Sequence, residues 1–271
     1  MQVIFAFIRR DALKNHPFLY PLYLIVDSGL WLIYWYFLYF FLIKHSGPQT
    51  DFSSKLSGNL FSYGLAGLAF SQYIWRGFSI FSTRIANEQA NGSLESLWMT
   101  AYPLPLLVFL SSIWNFILVN VNAGLMLIIG IFSYGAALEW DGILKLMEIG
   151  LLTSLTMGSL GLLASSPNLA WGRWTFLNQF LSKIIFFLSG AFFPISFFPQ
   201  WLKILTWFLP TTHALMLIRG ILSPSFAVND PIKTWAAFYI TTTIVIILSW
   251  IIFSRAVHQA RVNGRISGYA A

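Results

Sequence analysis

The sequence predicts an all-α, polytopic membrane protein, and three observations lead to that prediction. Of the 271 residues, 57% are hydrophobic and only 9% are charged, whereas soluble domains carry about 25% charged residues. The apolar residues form segments long enough for membrane helices, which need ~20 residues to cross the hydrocarbon core. No polar stretch reaches the ~50 residues of a separate domain. Residues 1–271 are therefore expected to form a single transmembrane domain.

Six segments meet the length criterion, and they are listed here in chain order: 18–43, 58–82, 104–133, 146–167, 176–198 and 234–254. An even number of spans places both termini on one side of the membrane. The two tails are basic, with Arg9, Arg10 and Lys14 at one end and Arg255, Arg261 and Arg265 at the other. Basic flanks predict cytoplasmic termini. The net charge of +7 is thus interpreted as an orientation signal in a multi-pass cell-membrane protein, with no nucleic-acid partner.

Residues 1–17 predict an interfacial helix. Val3, Ile4, Phe7, Ile8 and Leu13 can share one helical face, opposite Arg10 and Lys14. Such a helix lies along the membrane surface, and Pro17 ends it before the first span. A plain cytoplasmic tail is the alternative.

Asp27 is the most telling polar residue of the spans, because a carboxylate inside a membrane must face a cavity or a partner. Trp31, Tyr34 and Trp35 follow near the same face. These four residues are candidates for lining a translocation path for an amphipathic or cationic solute, since aromatic faces attract cations. The alternative is an ion pair of Asp27 with Arg76 or Lys183. Small residues of spans two and four predict close helix contacts: Gly64, Gly67, Gly158 and Gly161.

The loop at 84–103 is the internal cytoplasmic loop with real polar content. Asn91-Gly92 indicates a turn, Ser93 can cap a new helix, and Glu95 falls in its first turn. Leu94, Leu97 and Trp98 form an apolar edge. The pattern predicts a short amphipathic helix suited to docking on another protein, or else a capped connector without a partner.

The stretch at 194–222 is aromatic and apolar but cannot form one continuous helix. Pro194, Pro199 and Pro210 interrupt it, because an interior proline removes a backbone hydrogen bond. Broken backbone at membrane depth must be buried in protein or line a cavity. We therefore expect broken re-entrant helices that form a lid on the outer face before the last span. Arg219 in this stretch either binds a lipid phosphate or ties the segment to a neighbouring helix C-terminus.

Two of these stretches carry a family resemblance. The order Arg84, Glu88, Gly92-Ser93-Leu94-Glu95, Leu97 and Pro103 resembles the loop before the third span of ATP-binding-cassette type-2 exporter permeases. The later order also resembles that family's signature, through Gly190, Phe193-Pro194, Pro199, Trp201, Pro210, Thr211 and Arg219. Leu209 stands where the family often has Asn. The resemblance covers essentially the whole chain.

The resemblance implies a membrane subunit that works with a separate ATPase. It assigns the coupling to that ATPase to the loop residues, Arg84, Glu88, Gly92, Ser93, Leu94, Glu95 and Leu97, and the external gate to Gly190, Phe193, Pro194, Pro199, Pro210 and Arg219. No GxxxxGK[ST] motif occurs in the sequence, so ATP and Mg²⁺ are expected on the partner chain. The family also implies a pair of permeases, with a homodimer as the expected form, in a bacterial inner membrane.

Three other functions are weighed against this one. Cargo is expected to be a hydrophobic or amphipathic drug or lipid, with a lipid-linked polysaccharide as the alternative, because aromatic rings also stack on sugars. An ion-coupled carrier without ATP would fit Asp27 and the broken segment. An intramembrane enzyme would need a polar catalytic set, and Asp27 is the only acid well inside a span. Cysteine is absent, which excludes thiolate metal sites, and His213 lacks a second ligand. No catalytic or metal residue is therefore predicted.

Overall fold

The computed structural model describes residues 19–45, 60–90, 104–134, 140–171, 176–191, 195, 198–222 and 230–262. These residues are almost entirely helical and contain no β-strand. The predicted all-α class is confirmed for this part of the chain. The predicted interfacial helix at 1–17 lies outside the described residues.

The described helices follow one another in ten segments, which we number in chain order. They are α1 (Leu19–His45), α2 (Leu60–Gln72), α3 (Phe78–Ala90), α4 (Leu104–Ser111), α5 (Ile113–Tyr134), α6 (Trp140–Trp171), α7 (Phe176–Leu188), α8 (Gln200–Trp207), α9 (Pro210–Leu222) and α10 (Pro231–Val262). A π-helical turn, Tyr73–Gly77, joins α2 to α3 without a break.

Two described stretches are each long and apolar enough to cross a membrane, namely Trp140–Pro167 of α6 and Pro231–Ala260 of α10. A third candidate exists if α8 and α9 count as one bent span. The predicted number of six spans is not reached by the described residues, and it stays a prediction.

One predicted span continues through a minor irregularity, and another ends early. In the segment at 104–133, Ser112 alone separates α4 from α5, and helical hydrogen bonds continue across it: Ser112 N donates to the Val108 oxygen at 3.1 Å and Phe116 N to the Ser112 oxygen at 3.0 Å. The helix predicted over 176–198 ends at Leu188. Gly190 has a φ of 76°, a conformation that glycine adopts without steric cost and that commonly terminates helices. The chain therefore turns well before Pro194.

Helix α6 forms the centre of the fold, with α3, α9 and α10 packed around it. Its glycines allow close approach to the π-helical turn and α3. A Cβ atom at Gly161 would lie 1.9 Å from the carbonyl oxygen of Phe78, and one at Gly158 would lie 2.5 Å from the ring of Phe81. On α2, a Cβ at Gly67 would lie 2.3 Å from the Ala191 carbonyl oxygen. The predicted close helix contacts are confirmed at Gly158 and Gly161, whereas Gly67 approaches the turn that follows α7.

Candidate functional site

An ion pair joins the π-helical turn after α2 to α1. The Arg76 guanidinium lies 2.5 Å from the Asp27 carboxylate, with exposed side-chain fractions of 28% and 20%. The sequence offered two partners for Asp27, Arg76 and Lys183, and in the structure Asp27 pairs with Arg76. The other candidate partner, Lys183, lies in a cleft between α7 and α8. Asp27 is thus a half-buried charge that already has an opposite charge beside it.

The π-helical turn presents Arg76 and Trp75 to α1. A π turn accommodates one extra residue in a helix and often marks a functional site. Here Tyr73, Ile74 and Gly77 are buried, whereas Trp75 and Arg76 remain partly exposed. The turn therefore directs one cation and one indole toward Asp27 and Trp31.

Aromatic rings extend the contact between α1, the turn and α7. Trp31 lies 5.7 Å from Trp75 between ring centroids, and Trp75 lies 5.1 Å from Phe186. Tyr34 meets Trp31 edge to face at 6.1 Å and is 57% exposed. Asp27, Trp31 and Tyr34 share one face of α1, as the i, i+4, i+7 spacing requires. The side chain of Trp35 lies outside the described part of the structure.

A buried polar network lies next to this pair, and sequence reasoning missed it. The Ser28 hydroxyl donates to Asn122 Oδ1 at 2.7 Å, and Asn122 Nδ2 donates to Gln72 Oε1 at 3.2 Å. All three side chains are buried. The signal was present, because Gln72 and Asn122 are amides within apolar segments, where polar residues are expensive and tend to face the protein interior.

The broken segment has the bend that its prolines predict. Pro199 precedes α8 in an extended conformation, and Pro210 is the first residue of α9. The two helices are bent by 87°. Helix α8 is amphipathic and largely exposed, whereas α9 is buried along most of its length. His213 Nε2 donates to the carbonyl oxygen of Trp207 at 2.8 Å and so stabilises the corner.

Arg219 anchors this segment to the core. Its guanidinium lies 3.4 Å from the centroid of the Tyr63 ring, and Nη2 donates to the Ala191 carbonyl oxygen at 2.8 Å. The Tyr63 hydroxyl donates to the Gly190 carbonyl oxygen at 3.3 Å. Arg219 is buried, and its contact to Ala191 lies just past the end of α7. Arg219 therefore ties α9 to α2 and to the turn after α7.

The remaining candidate residues are only partly described. Arg84 and Glu88 lie on α3, which ends at Ala90, but their side chains are not described. The coupling residues Gly92, Ser93, Leu94, Glu95 and Leu97 lie outside the described residues, as do the gate residues Phe193 and Pro194. Their assigned roles stay predictions.

Comparison with known proteins identifies the family to which the chain belongs. Residues 3–223 match the family described as ABC-2 type transporter. The ABC transporter G family member 20 of Dictyostelium discoideum is 26% identical over 178 residues, which are 65% of this chain and 23% of that protein. Nodulation protein J of Rhizobium leguminosarum bv. trifolii is 32% identical over 96 residues, 34% of this chain and 37% of that protein. The chain thus spans about a quarter to a third of these relatives. It belongs to the ABC-2 type transporter family and is a membrane transport component.

Proposed function

We propose that this chain is the permease subunit of an ATP-binding-cassette exporter. Two copies form a translocation path, and a separate ATPase, which holds ATP and Mg²⁺, drives the transport cycle. The observation that carries this proposal is the family match over residues 3–223, which includes most of the predicted spans, the loop at 84–103 and the broken segment. The proposal also places the chain in a cell membrane, a bacterial inner membrane, with both termini in the cytoplasm.

The proposed cargo is hydrophobic or amphipathic. The only acid well inside a predicted span, Asp27, is neutralised by Arg76, so this part of α1 presents little net charge. Around it lie the indole and phenol rings of Trp31, Trp75 and Tyr34. Such a surface offers ring faces and few isolated charges, which favours apolar cargo over simple ions. A lipid-linked polysaccharide meets the same description through its lipid, and the test below separates the two.

Transport driven by ATP tests the proposal directly. Inside-out vesicles that contain the chain and its ATPase are mixed with an amphipathic fluorescent dye or, in parallel, with a radiolabelled lipid-linked glycan added outside the vesicles. We expect uptake that needs ATP and both proteins. Uptake by the chain alone, driven by a proton or sodium gradient, would instead identify an ion-coupled carrier and would remove the exporter proposal.

The role of the loop at 84–103 is tested by reversing its charge. We propose that Glu88 and Glu95 contact the ATPase, so that Glu95→Lys abolishes cargo-stimulated ATP hydrolysis while the protein still folds. Asp141→Lys is the matched control, because Asp141 is an exposed acid that pairs only with Lys145 among the described residues. Unchanged stimulation in both Glu88→Lys and Glu95→Lys would contradict the docking role.

A further inference from the structure

An open cleft between α7 and α8 combines apolar walls with a single cation. It has a volume of about 480 Å³ and is lined by Phe180, Lys183, Ile184, Phe187, Leu188, Leu202 and Leu205. This volume lies within the ~300–1,000 Å³ that is typical of ligand sites. Phe187 stacks on the buried Phe198 with ring centroids 5.5 Å apart, which fixes one wall of the cleft. The cleft is therefore a formed feature of the fold.

The charged side chain that lines the cleft is a cation, Lys183, and neither α7 nor α8 contains an Asp or Glu. The sequence contains no Asp or Glu between Glu148 and Asp230, but it contains Arg173, Lys183, Lys203 and Arg219 in that interval. Arg219 is committed to Tyr63 and Ala191. Lys183 is exposed and forms no ion pair with any residue that the structure describes. A lysine ammonium in an apolar cleft favours an anion that carries apolar chains of its own.

We propose that this cleft binds an anionic phospholipid, with one acyl chain against the apolar walls and the phosphate on the Lys183 ammonium. Basic pockets between membrane helices recognise anionic headgroups in this way, and the chain is a membrane protein by family. The site is distinct from the region around Asp27, and it does not depend on the exporter function.

A second copy of the chain fits the cleft less well than a lipid. In a two-fold symmetric interface the same patch meets itself. Contact of this patch with its own copy would bring no acid to Lys183, because neither α7 nor α8 carries an Asp or Glu. A phospholipid supplies both the negative charge and the apolar surface in one molecule.

Lipid titration of the purified full chain tests the proposal. Native mass spectrometry from an uncharged detergent gives the dissociation constant of the first bound phosphatidylglycerol and of phosphatidylcholine with the same acyl chains. We expect a preference of about five-fold for phosphatidylglycerol, the effect of one cation near an anionic headgroup. Lys183→Ala and Lys183→Gln should remove the preference, and Lys183→Arg should keep it.

Two matched variants complete the test. Lys203→Ala removes a cation of α8 that lines a different surface, with Gln200, Ile204, Trp207 and Phe208, and should leave the preference unchanged. Leu202→Trp should fill the cleft and weaken the binding of both lipids. The proposal is overturned if Lys183→Ala keeps the preference, if Lys203→Ala removes it, or if inorganic phosphate competes as well as the lipid does. It is also overturned if Leu202→Trp changes only the oligomeric state, because a second copy would then cover the cleft.

Discussion

Asp27 and Arg76 are the residues whose interaction is most directly testable. Removing one partner leaves a half-buried charge without its counter-ion, which is more costly than removing both. We expect Asp27→Asn and Arg76→Gln each to lower the free energy of unfolding, and the double variant to recover part of the loss. The double-mutant cycle should give a coupling energy of about 0.5–3 kcal/mol, measured by denaturant titration in mixed micelles.

The exposed pair of Asp141 and Lys145 provides the control for that cycle. Its atoms lie 2.6 Å apart, but the side chains are 71% and 47% exposed. Exposed pairs contribute only about 0.2–1 kcal/mol, so the cycle of Asp141→Asn with Lys145→Gln should give a smaller coupling energy. Equal coupling for the two pairs would show that Asp27 and Arg76 are effectively solvated, as residues of an open path would be.

Tyr63 and Arg219 form the second testable residue contact. The Tyr63 ring lies 3.4 Å from the guanidinium, and both side chains are buried. A desolvated cation–π contact contributes about 2 kcal/mol, whereas the hydroxyl bond to Gly190, at 3.3 Å, contributes about 0.5–1.5 kcal/mol. Tyr63→Leu should therefore be about 2 kcal/mol less stable than Tyr63→Phe. This difference in stability between the two variants should become smaller in an Arg219→Met background. A difference of the same size there would contradict the contact between Tyr63 and Arg219.

Single residues also show how far the sequence can predict the site. Asp27 stands out because any carboxylate inside a span needs a partner, but Arg76 is 49 residues away and was one of two candidates. Ser28 and Asn122 are 94 residues apart and bond only because α1 and α5 pack together. Composition marks which side chains need partners, whereas tertiary packing decides which partners they obtain.

At the scale of helices, the glycines of α6 set how closely α3 approaches. A Cβ at Gly161 would overlap the carbonyl oxygen of Phe78, which cannot rotate away. We expect Gly161→Ala to lower the free energy of unfolding by about 1–3 kcal/mol, the usual cost of overpacking. Gly124→Ala on α5 is the control, because nothing lies within 4 Å of its added Cβ. It should be neutral or stabilising by up to about 1 kcal/mol, and similar losses in both variants would contradict the packing argument.

Some helix boundaries could be predicted and others could not, for local reasons. Pro199 and Pro210 mark the break between α8 and α9 because proline limits its own backbone wherever it occurs. The π-helical turn at Tyr73–Gly77 has no such marker, and the sequence predicts an ordinary helix there. Gly77 packs against Met157 of α6, where an added Cβ would lie 3.1 Å from the Met157 Cβ. This close packing against a distant helix is information that a reading of hydropathy does not include.

At the scale of the whole molecule, the described helices expose many large apolar side chains. Exposed large side chains cover much of α1 and α10, including Phe37 at 67% and Ile240 at 59%. Such a surface is stable only against lipid or a second copy. This agrees with the membrane assignment from the family, but it does not distinguish six spans from fewer. Orientation was predicted from the basic tails, and direct labelling is needed to test it.

The absence of native cysteine makes that labelling clean, since each introduced thiol is the only one in the chain. Six spans place residue 93 and the end of α10 in the cytoplasm and the start of α8 outside. A membrane-impermeant maleimide should therefore label Gln200→Cys in intact cells. It should label Ser93→Cys and Val262→Cys only after permeabilisation. Gln200 and Val262 are exposed on the protein surface, so failure to react reports the membrane barrier and not burial.

The outcome decides the mechanism as well as the topology. A loop that docks on a cytoplasmic ATPase and a bent segment that closes the outer side must be separated by the bilayer, because ATP is consumed only inside the cell. If Ser93→Cys and Gln200→Cys react from the same side, the broken segment cannot be an external gate, and the number of spans between the two residues must be even instead of the predicted three. If they react from opposite sides while Val262→Cys matches Ser93→Cys, the arrangement required for ATP-driven export is in place.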